Sequence, residues 1–155
     1  MKVLVIGAGG REHALCWKLS QSPQRPTLYA APGNPGIATM AQCNSTTDYV
    51  ALADSIQPDL TVVGPELPLA EGIVDRFHER GLLIVGPSAS ASRIETSKAF
   101  SKAIMREAGV ATARHITVAS EQDAWTALKQ FPLPVVLKAD GLAAGKGGVD
   151  APTAT

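Results

Sequence analysis

The sequence predicts an α/β protein built on an open, doubly wound parallel sheet, followed by the start of a second domain. Over the first 90 residues, four short apolar segments alternate with helical ones, and each apolar segment runs into a turn that contains glycine. Such alternation is typical of parallel sheets whose strands are joined by helices. Ligands bind outside the carboxyl ends of the strands in these sheets, so we expect a site at the glycine turns.

The elements of this sheet are predicted from apolar runs, amphipathic spacing and capping residues. The predicted strands span residues 2–6, 27–31, 59–63 and 82–85, and the predicted helices span residues 11–20, 49–56 and about 69–80. Asp48 is placed to cap the second helix, and Gly81 is placed to end the third. Aspartate is a favoured N-cap, and glycine favours the left-handed conformation that terminates helices.

The pattern changes at residues 88–95, where we place a domain boundary. Residues 88–92 are small and predict a linker or a first helical turn. Beyond them the sequence predicts a helix over 97–108 closed by Gly109, a strand over 115–118, a helix over 121–131 capped by Ser120, and a strand over 135–138. We therefore divide the chain into domains 1–90 and 91–155. The second is begun but not finished, so we expect residues 96–155 to be loosely packed.

Composition excludes several classes of protein. The chain has 155 residues, 45% hydrophobic and only 5% aromatic, which favours an aliphatic α/β core. Its 14 basic and 14 acidic residues balance, so no overall basic field favours nucleic acid or a membrane surface. Cys16 and Cys43 are too few and too far apart for a disulfide framework or a zinc knuckle. No apolar run reaches membrane-spanning length, and we expect a cytoplasmic protein.

The first glycine turn, residues 7–13 (GAGGREH), lies where a dinucleotide fingerprint would stand. That fingerprint needs glycine at the position of Glu12 and an acid after the second strand to bind a ribose, and both are missing. These departures disfavour a NAD-dependent oxidoreductase. The turn still offers N–H groups at a helix N-terminus to a phosphate, and Arg11 would add a bidentate fork. The alternative is an ordinary turn with Arg11 and Glu12 in solvent.

Two further turns place polar side chains just past strand ends. Asn34 lies in residues 32–36, and Glu66 follows Gly64 and Pro65. Each alone is compatible with an ordinary turn, because Gly, Pro and Asn are common turn residues. Both fall on the crevice side of the sheet, which favours ligand contact, and Glu66 would accept hydrogen bonds from ribose hydroxyls or an amine. His13 has no second metal-type ligand one helical turn away and is interpreted as a packing residue.

The segment of residues 134–148 joins a buried-type strand ending in Lys138 to a glycine-rich loop with a second lysine, Lys146. Close backbone approach at glycines together with ammonium groups suits a polyphosphate. The segment is not a Walker A loop, because Asp140 stands where that pattern needs its first glycine and Gly147 replaces the hydroxyl residue. Lys98 and Lys102 lie one turn apart on an earlier helix, and we interpret Lys102 as part of a solvated face.

Taken together, these segments resemble the N-terminal part of the phosphoribosylamine–glycine ligases, ATP-grasp enzymes also called glycinamide ribonucleotide synthetases. The matching segments are KVLVIGAGGREHALCW (2–17), APGNPG (31–36), DLTVVGPELPL (59–69), GP (86–87), ETSKAFSK (95–102) and KADGLAAGKG (138–147). The resemblance implies a Rossmann-like pre-ATP-grasp domain followed by the start of an ATP-grasp domain. It implies ATP-dependent ligation of glycine to 5-phosphoribosylamine through a glycyl phosphate, in de novo purine biosynthesis.

The resemblance also implies which residues bind ligands. The phosphoribosylamine pocket would be lined by Gly9, Gly10, Arg11, Glu12, Asn34, Pro65 and Glu66. The ATP phosphates would meet Lys98, Lys138 and a flexible loop that includes Gly141, Gly145, Lys146 and Gly147. A loop of this kind would exclude water from the acyl phosphate. Mg²⁺ or Mn²⁺ would accompany ATP in the parent enzyme, with ligands beyond residue 155.

The last eight residues depart from the family pattern, which continues after Gly147 with an apolar strand. Pro152 and the loss of the apolar run argue against that strand forming in full. We therefore expect the chain to be an N-terminal piece of the enzyme that is inactive alone, and we assign no catalytic residue within it. The alternative from another class is a non-catalytic phosphoribosyl-binding module.

Overall fold

The computed structural model describes residues 1–142 and 148–151. The chain divides into two compact units, Met1–Ser92 and Arg93–Thr155. The first unit contains a five-stranded sheet with helices, and the second contains helices and a two-stranded sheet.

The five strands of the first unit are all parallel and lie in the order β3-β2-β1-β4-β5. They are β1 (Lys2–Gly7), β2 (Thr27–Pro32), β3 (Gln42–Cys43), β4 (Leu60–Val63) and β5 (Ile84–Val85). The chain winds from β1 outward to β3 and then returns to the other side of β1 through β4. This confirms the predicted doubly wound sheet, and it places the crevice at the carboxyl ends of β1 and β4, where the strand order changes direction.

The helices of the first unit connect these strands. They are α1 (Gly10–Ser20), a 3₁₀ turn (Ile37–Thr39), α2 (Tyr49–Ile56), α3 (Glu66–Ala70) and α4 (Ile73–His78). A further helix, α5 (Ala89–Thr96), follows β5 and includes the position where the first unit ends. The prediction of one helix over 69–80 is wrong. Gly72 has φ +77°, a left-handed conformation that interrupts an α-helix, so the segment forms two short helices and the first of them begins earlier.

Alternation along β1 builds a core on both faces of the sheet. Leu4 and Ile6 belong to one buried cluster, which includes Phe77 of α4, whereas Val3 and Val5 belong to the other. These four side chains of β1 are at most 1% exposed. Successive residues of a strand point to opposite faces, so an entirely apolar strand is the pattern expected of a sheet covered on both sides.

The second unit contains two helices and one antiparallel strand pair in its described part. They are α6 (Lys98–Glu107), α7 (Glu121–Leu128), β6 (Val135–Lys138) and β7 (Gly148–Ala151). The predicted strand over 115–118 is wrong, since that segment has no regular structure. A four-residue strand does form after residue 147, because β6 offers it a complete antiparallel register from Val135↔Ala151 to Lys138↔Gly148.

The two units differ in how far their residues are buried. The first has a buried core on each face of its sheet, whereas no residue is buried between Arg93 and Leu142. Ile104 is 37% exposed and Leu137 is 45% exposed. This agrees with the expectation that the apolar faces of the second unit lack partners. Within residues 1–142 and 148–151, no helix combines the length and apolar character needed to cross a bilayer.

Candidate functional site

The turns after β1 and β2 are bound to each other at the carboxyl edge of the sheet. The Gly33 amide donates to the Gly7 carbonyl at 3.1 Å. The Asn34 side chain donates through Nδ2 to the Ala8 carbonyl at 2.8 Å and accepts at Oδ1 from the Ile37 amide at 2.9 Å. Asn34 therefore uses both ends of its amide to fix the two turns and the 3₁₀ turn relative to one another.

Arg11 connects the turn after β1 to the turn after β4. Its Nη2 donates to Glu66 Oε1 at 2.8 Å, and its Nη1 donates to the Gly64 carbonyl. The Arg11 side chain is 60% exposed and that of Glu66 is 34% exposed. The hydrogen bond from Arg11 holds the pKa of the Glu66 carboxyl below its usual value. The site thus presents an ionised, solvent-accessible charge pair at the point where the strand order changes direction.

Glu12 turns inward, away from solvent. It is 4% exposed, and its Oε2 accepts a hydrogen bond from the Gly9 amide at 2.5 Å. A Cβ added at Gly7 would lie 2.6 Å from Glu12 Cγ, and one added at Gly64 would collide with the Glu12 carboxyl. Glycines at the ends of β1 and β4 therefore make the room that this side chain occupies. The alternative that leaves Glu12 in solvent is wrong.

The seven residues predicted to line the substrate pocket lie at the carboxyl ends of β1, β2 and β4. Gly9 is the N-cap of α1, Gly10 is its first residue, and Pro65 is the N-cap of α3. Nothing lies within 4 Å of a Cβ built on Gly10, so open space adjoins this position. The structure brings the residues together at one edge of the sheet, with Glu12 beneath the turns and Arg11 and Glu66 at the surface.

In the second unit, Lys98 and Lys138 line one groove of about 610 Å³. Lys98 is the first residue of α6, and Lys138 is the last residue of β6. The Lys98 ammonium donates to the Gly141 carbonyl at 2.9 Å. The predicted phosphate-binding residues Gly145, Lys146 and Gly147 lie outside the described residues.

Asp140 is the residue of this groove that sequence reasoning missed. Its Oδ1 accepts from the amides of Lys98 at 2.6 Å and Ala99 at 3.3 Å, and its Oδ2 accepts from the Ser97 hydroxyl at 3.1 Å. Hydrogen bonds from the Ala99 amide, the Ser97 hydroxyl and the Lys98 amide hold the pKa of Asp140 below its usual value. The available signal was an acid two residues after a strand-ending lysine, which the sequence analysis used only to exclude a Walker A loop.

Lys102, interpreted above as part of a solvated face, also lines the groove and is half-buried. Its ammonium donates to Thr112 Oγ1 at 2.6 Å and to the Ala113 carbonyl at 3.1 Å. These contacts join α6 to the irregular segment that follows it in the chain. Sequence alone gave no signal for them, because the partners lie in a segment without periodicity.

The remaining titratable groups of the described chain offer no metal centre. No group of three or more His, Cys, Asp or Glu side chains in residues 1–142 and 148–151 could hold a metal ion.

Burial raises the pKa of the Cys16 thiol to about 11, with smaller contributions from Cys43 and Glu12. A thiol with so high a pKa is a poor nucleophile, which agrees with its interpretation as a small core residue.

Two family profiles match the chain in succession. The profile of "Phosphoribosylglycinamide synthetase, N domain" matches residues 1–95, and that of "Phosphoribosylglycinamide synthetase, ATP-grasp (A) domain" matches residues 96–154. Together they account for almost the whole sequence, in the order that the resemblance implies.

Individual relatives and solved structures agree with these profiles. A phosphoribosylamine–glycine ligase from Nostoc is 48% identical over an alignment of 154 positions, which covers 95% of this chain and 36% of the relative. The enzyme of the same name from Xanthomonas campestris is 50% identical over an alignment of 161 positions, gaps included, which covers 99% of this chain and 37% of the relative. The crystal structure of the phosphoribosylamine–glycine ligase of Thermotoga maritima superposes with a TM-score of 0.80 at 28% identity, covering 99% of this chain and 36% of that one.

A more distant likeness concerns the fold alone. The biotin carboxylase domain of the Hydrogenobacter thermophilus 2-oxoglutarate carboxylase, solved with MgADP, superposes with a TM-score of 0.76 at 21% identity, over 96% of this chain and 37% of that one. This chain thus spans little more than a third of the length of the proteins that it matches. The profiles and the sequence identities together confirm the resemblance, and the chain belongs to the phosphoribosylglycinamide synthetase family.

Proposed function

We propose that this chain provides the phosphoribosylamine site and part of the ATP site of an enzyme that ligates glycine to 5-phosphoribosylamine, giving glycinamide ribonucleotide in purine biosynthesis. The observation that carries the proposal is the match of residues 1–95 and 96–154 to two successive domains of one synthetase. Relatives named for this ligation are 48% and 50% identical. The family membership leaves the oxidoreductase alternative without support.

In this proposal residues 1–90 form the phosphoribosylamine-binding domain, and its site is the edge where β1, β2 and β4 end. Arg11 is the cation for the sugar phosphate, because a guanidinium matches the geometry of a phosphate and this one is exposed. Glu66, held ionised beside Arg11, accepts hydrogen bonds from the ribose hydroxyls or the amine. Gly9, Gly10 and Pro65 allow close approach of the backbone, whereas Glu12 and Asn34 fix the turns.

Residues 91–155 begin the ATP-grasp domain, with the ATP phosphates in the groove that Lys98 and Lys138 line. The residues fit a polyphosphate, because Lys98, Lys102 and Lys138 line one groove and the carboxylate of Asp140 is hydrogen-bonded to the start of α6. When bound, ATP would supply the phosphoryl group that activates the glycine carboxylate. The closing role of the loop that begins at Gly141, and a Mg²⁺ or Mn²⁺ ion accompanying ATP, are further parts of the proposal. Its partners are small molecules and its compartment is the cytoplasm.

Isothermal titration with glycinamide ribonucleotide tests the first site. We expect the wild-type chain to bind, and the Arg11→Ala, Glu66→Ala double variant to bind at least about tenfold more weakly, since a charge-assisted hydrogen bond contributes roughly 1.5–3 kcal/mol. The matched control is Asp54→Ala, Arg80→Ala, which removes the other exposed ion pair of the same unit. Wild-type affinity in the Arg11, Glu66 double variant would show that the ligand binds elsewhere.

A further inference from the structure

Asp140 lines the groove of the second unit, but it is neither one of the lysines nor one of the glycines that we assign to the ATP phosphates. We propose that Asp140 is a positioning residue for Lys98: its carboxylate fastens the N-terminus of α6 to the end of β6 and thereby holds Lys98 beside Lys138. This inference rests on the proposed nucleotide site, and it adds to that site a residue that does not itself touch the nucleotide.

Three successive residues at the start of α6 donate to the one carboxylate. The amides of Lys98 and Ala99 bind Oδ1, at 2.6 Å and 3.3 Å, and the Ser97 hydroxyl binds Oδ2 at 3.1 Å. Asp140 stands two residues after Lys138, so the contact joins the helix that carries one lysine to the strand end that carries the other. Both oxygens are used, which fixes the helix end in direction as well as in distance.

The side chain of Lys98 is fastened to the same place as its backbone. Its ammonium donates to the carbonyl of Gly141, the residue after Asp140, at 2.9 Å. Ser97 takes part twice, because its hydroxyl donates to Asp140 and accepts from the Phe100 amide at 3.1 Å as the N-cap of α6. The clamp of Ser97, Lys98, Asp140 and Gly141 is therefore a closed set of contacts rather than a single hydrogen bond.

In the described part of the second unit, burial of side chains does not hold the start of α6 in place. No residue of α6 is buried, and none is buried anywhere between Arg93 and Leu142. A lysine side chain has four rotatable bonds and loses considerable entropy when it is held. With little apolar contact to orient the helix, the polar clamp determines where the first residue of α6 lies.

The first test is the affinity of the full chain for ATP, measured by titration with the wild type and Asp140→Ala. We expect about a tenfold loss in the variant. The matched control is Asp123→Ala, which removes an acid of the same unit that also accepts from a helix-capping serine, Ser120, at 2.6 Å and does not line the groove. We expect wild-type affinity in that control. Equal affinity of wild type and Asp140→Ala would overturn the inference.

A double-mutant cycle distinguishes positioning from general damage. If Asp140 acts through Lys98, the Lys98→Ala, Asp140→Ala double variant binds ATP no more weakly than Lys98→Ala alone. A double variant that binds ATP more weakly than Lys98→Ala alone would overturn the inference, and this is also the result expected if Asp140→Ala simply unfolds the unit.

The ATP titrations distinguish a failure of the proposed nucleotide site from a failure of the role proposed for Asp140. A wild-type chain that does not bind ATP contradicts the nucleotide site itself and the role of Asp140 with it. A wild-type chain that binds ATP, with a variant at position 140 that binds equally well, contradicts the role of Asp140 only.

Discussion

Glu12 shows how a single residue shapes the candidate site. Its carboxyl packs against the glycines that end β1 and β4, so one buried side chain spaces two turns that carry ligand-binding candidates. In a dinucleotide fingerprint this position is glycine, which permits close packing of helix on strand. In this chain the glycines that make room are Gly7 and Gly64, next to the strand ends, and the large side chain that fills the room is Glu12 of α1.

Replacing Gly64 by alanine tests this packing. The added Cβ would collide with the Glu12 carboxyl, so we expect Gly64→Ala to lower the free energy of unfolding by about 1–3 kcal/mol, the usual cost of overpacking. Gly10→Ala is the control, since its added Cβ meets nothing within 4 Å. Urea unfolding of the three proteins measures the difference, and equal midpoints for Gly64→Ala and Gly10→Ala would contradict the packing.

Among the elements, α2 matches its prediction most closely. It spans Tyr49–Ile56, and the Asp48 side chain accepts from the Ala51 amide at 3.0 Å, as an N-cap does. We expect Asp48→Ala to destabilise the first unit by about 1 kcal/mol, whereas Asp48→Asn keeps the acceptor and leaves stability nearly unchanged. Thermal unfolding of both variants provides the test. A loss of the same size in Asp48→Asn would show that the charge matters and the cap does not.

The strands and caps of the sheet were predictable because their signals are local. Apolar runs such as β1 and capping residues such as Asp48 are visible within a few neighbouring positions. The division of the 69–80 helix at Gly72 was not predicted, because a single glycine is tolerated in many helices. The neighbouring residues give no indication that Gly72 adopts a left-handed φ. β3 has two residues, too few for a periodicity.

The candidate site was likewise predictable only where its residues follow from local sequence signals. The positions of Arg11, Asn34 and Glu66 follow from strand ends, and sequence could place them at one edge. The burial of Glu12 and the clamp of Asp140 depend on contacts between segments far apart in the chain, and Lys98 and Asp140 are separated by 42 positions in sequence number. Such pairings follow from the folded arrangement and leave no periodic pattern in the sequence.

For the whole molecule, the contrast in burial predicts unequal resistance to proteolysis. Cleavage requires local opening, which is easier where few apolar contacts hold the chain. We expect limited trypsin digestion of the native chain to cut first between residues 93 and 142, where no residue is buried, and to leave a fragment that retains residues 1–92. Mass spectrometry of the early products identifies the cuts. First cuts within residues 1–92 would contradict the difference in packing.

The proposed function requires that the first unit bind the phosphoribosyl substrate at the carboxyl edge of its sheet. The most direct measurement is a ¹H–¹⁵N NMR titration of the chain with glycinamide ribonucleotide. The proposal predicts saturable shifts of the amides of Gly10, Arg11 and Glu66, and none at Asp54 or Arg80 on the control ion pair. Saturable binding that leaves the turns after β1 and β4 unperturbed, or no binding at millimolar ligand, would contradict it.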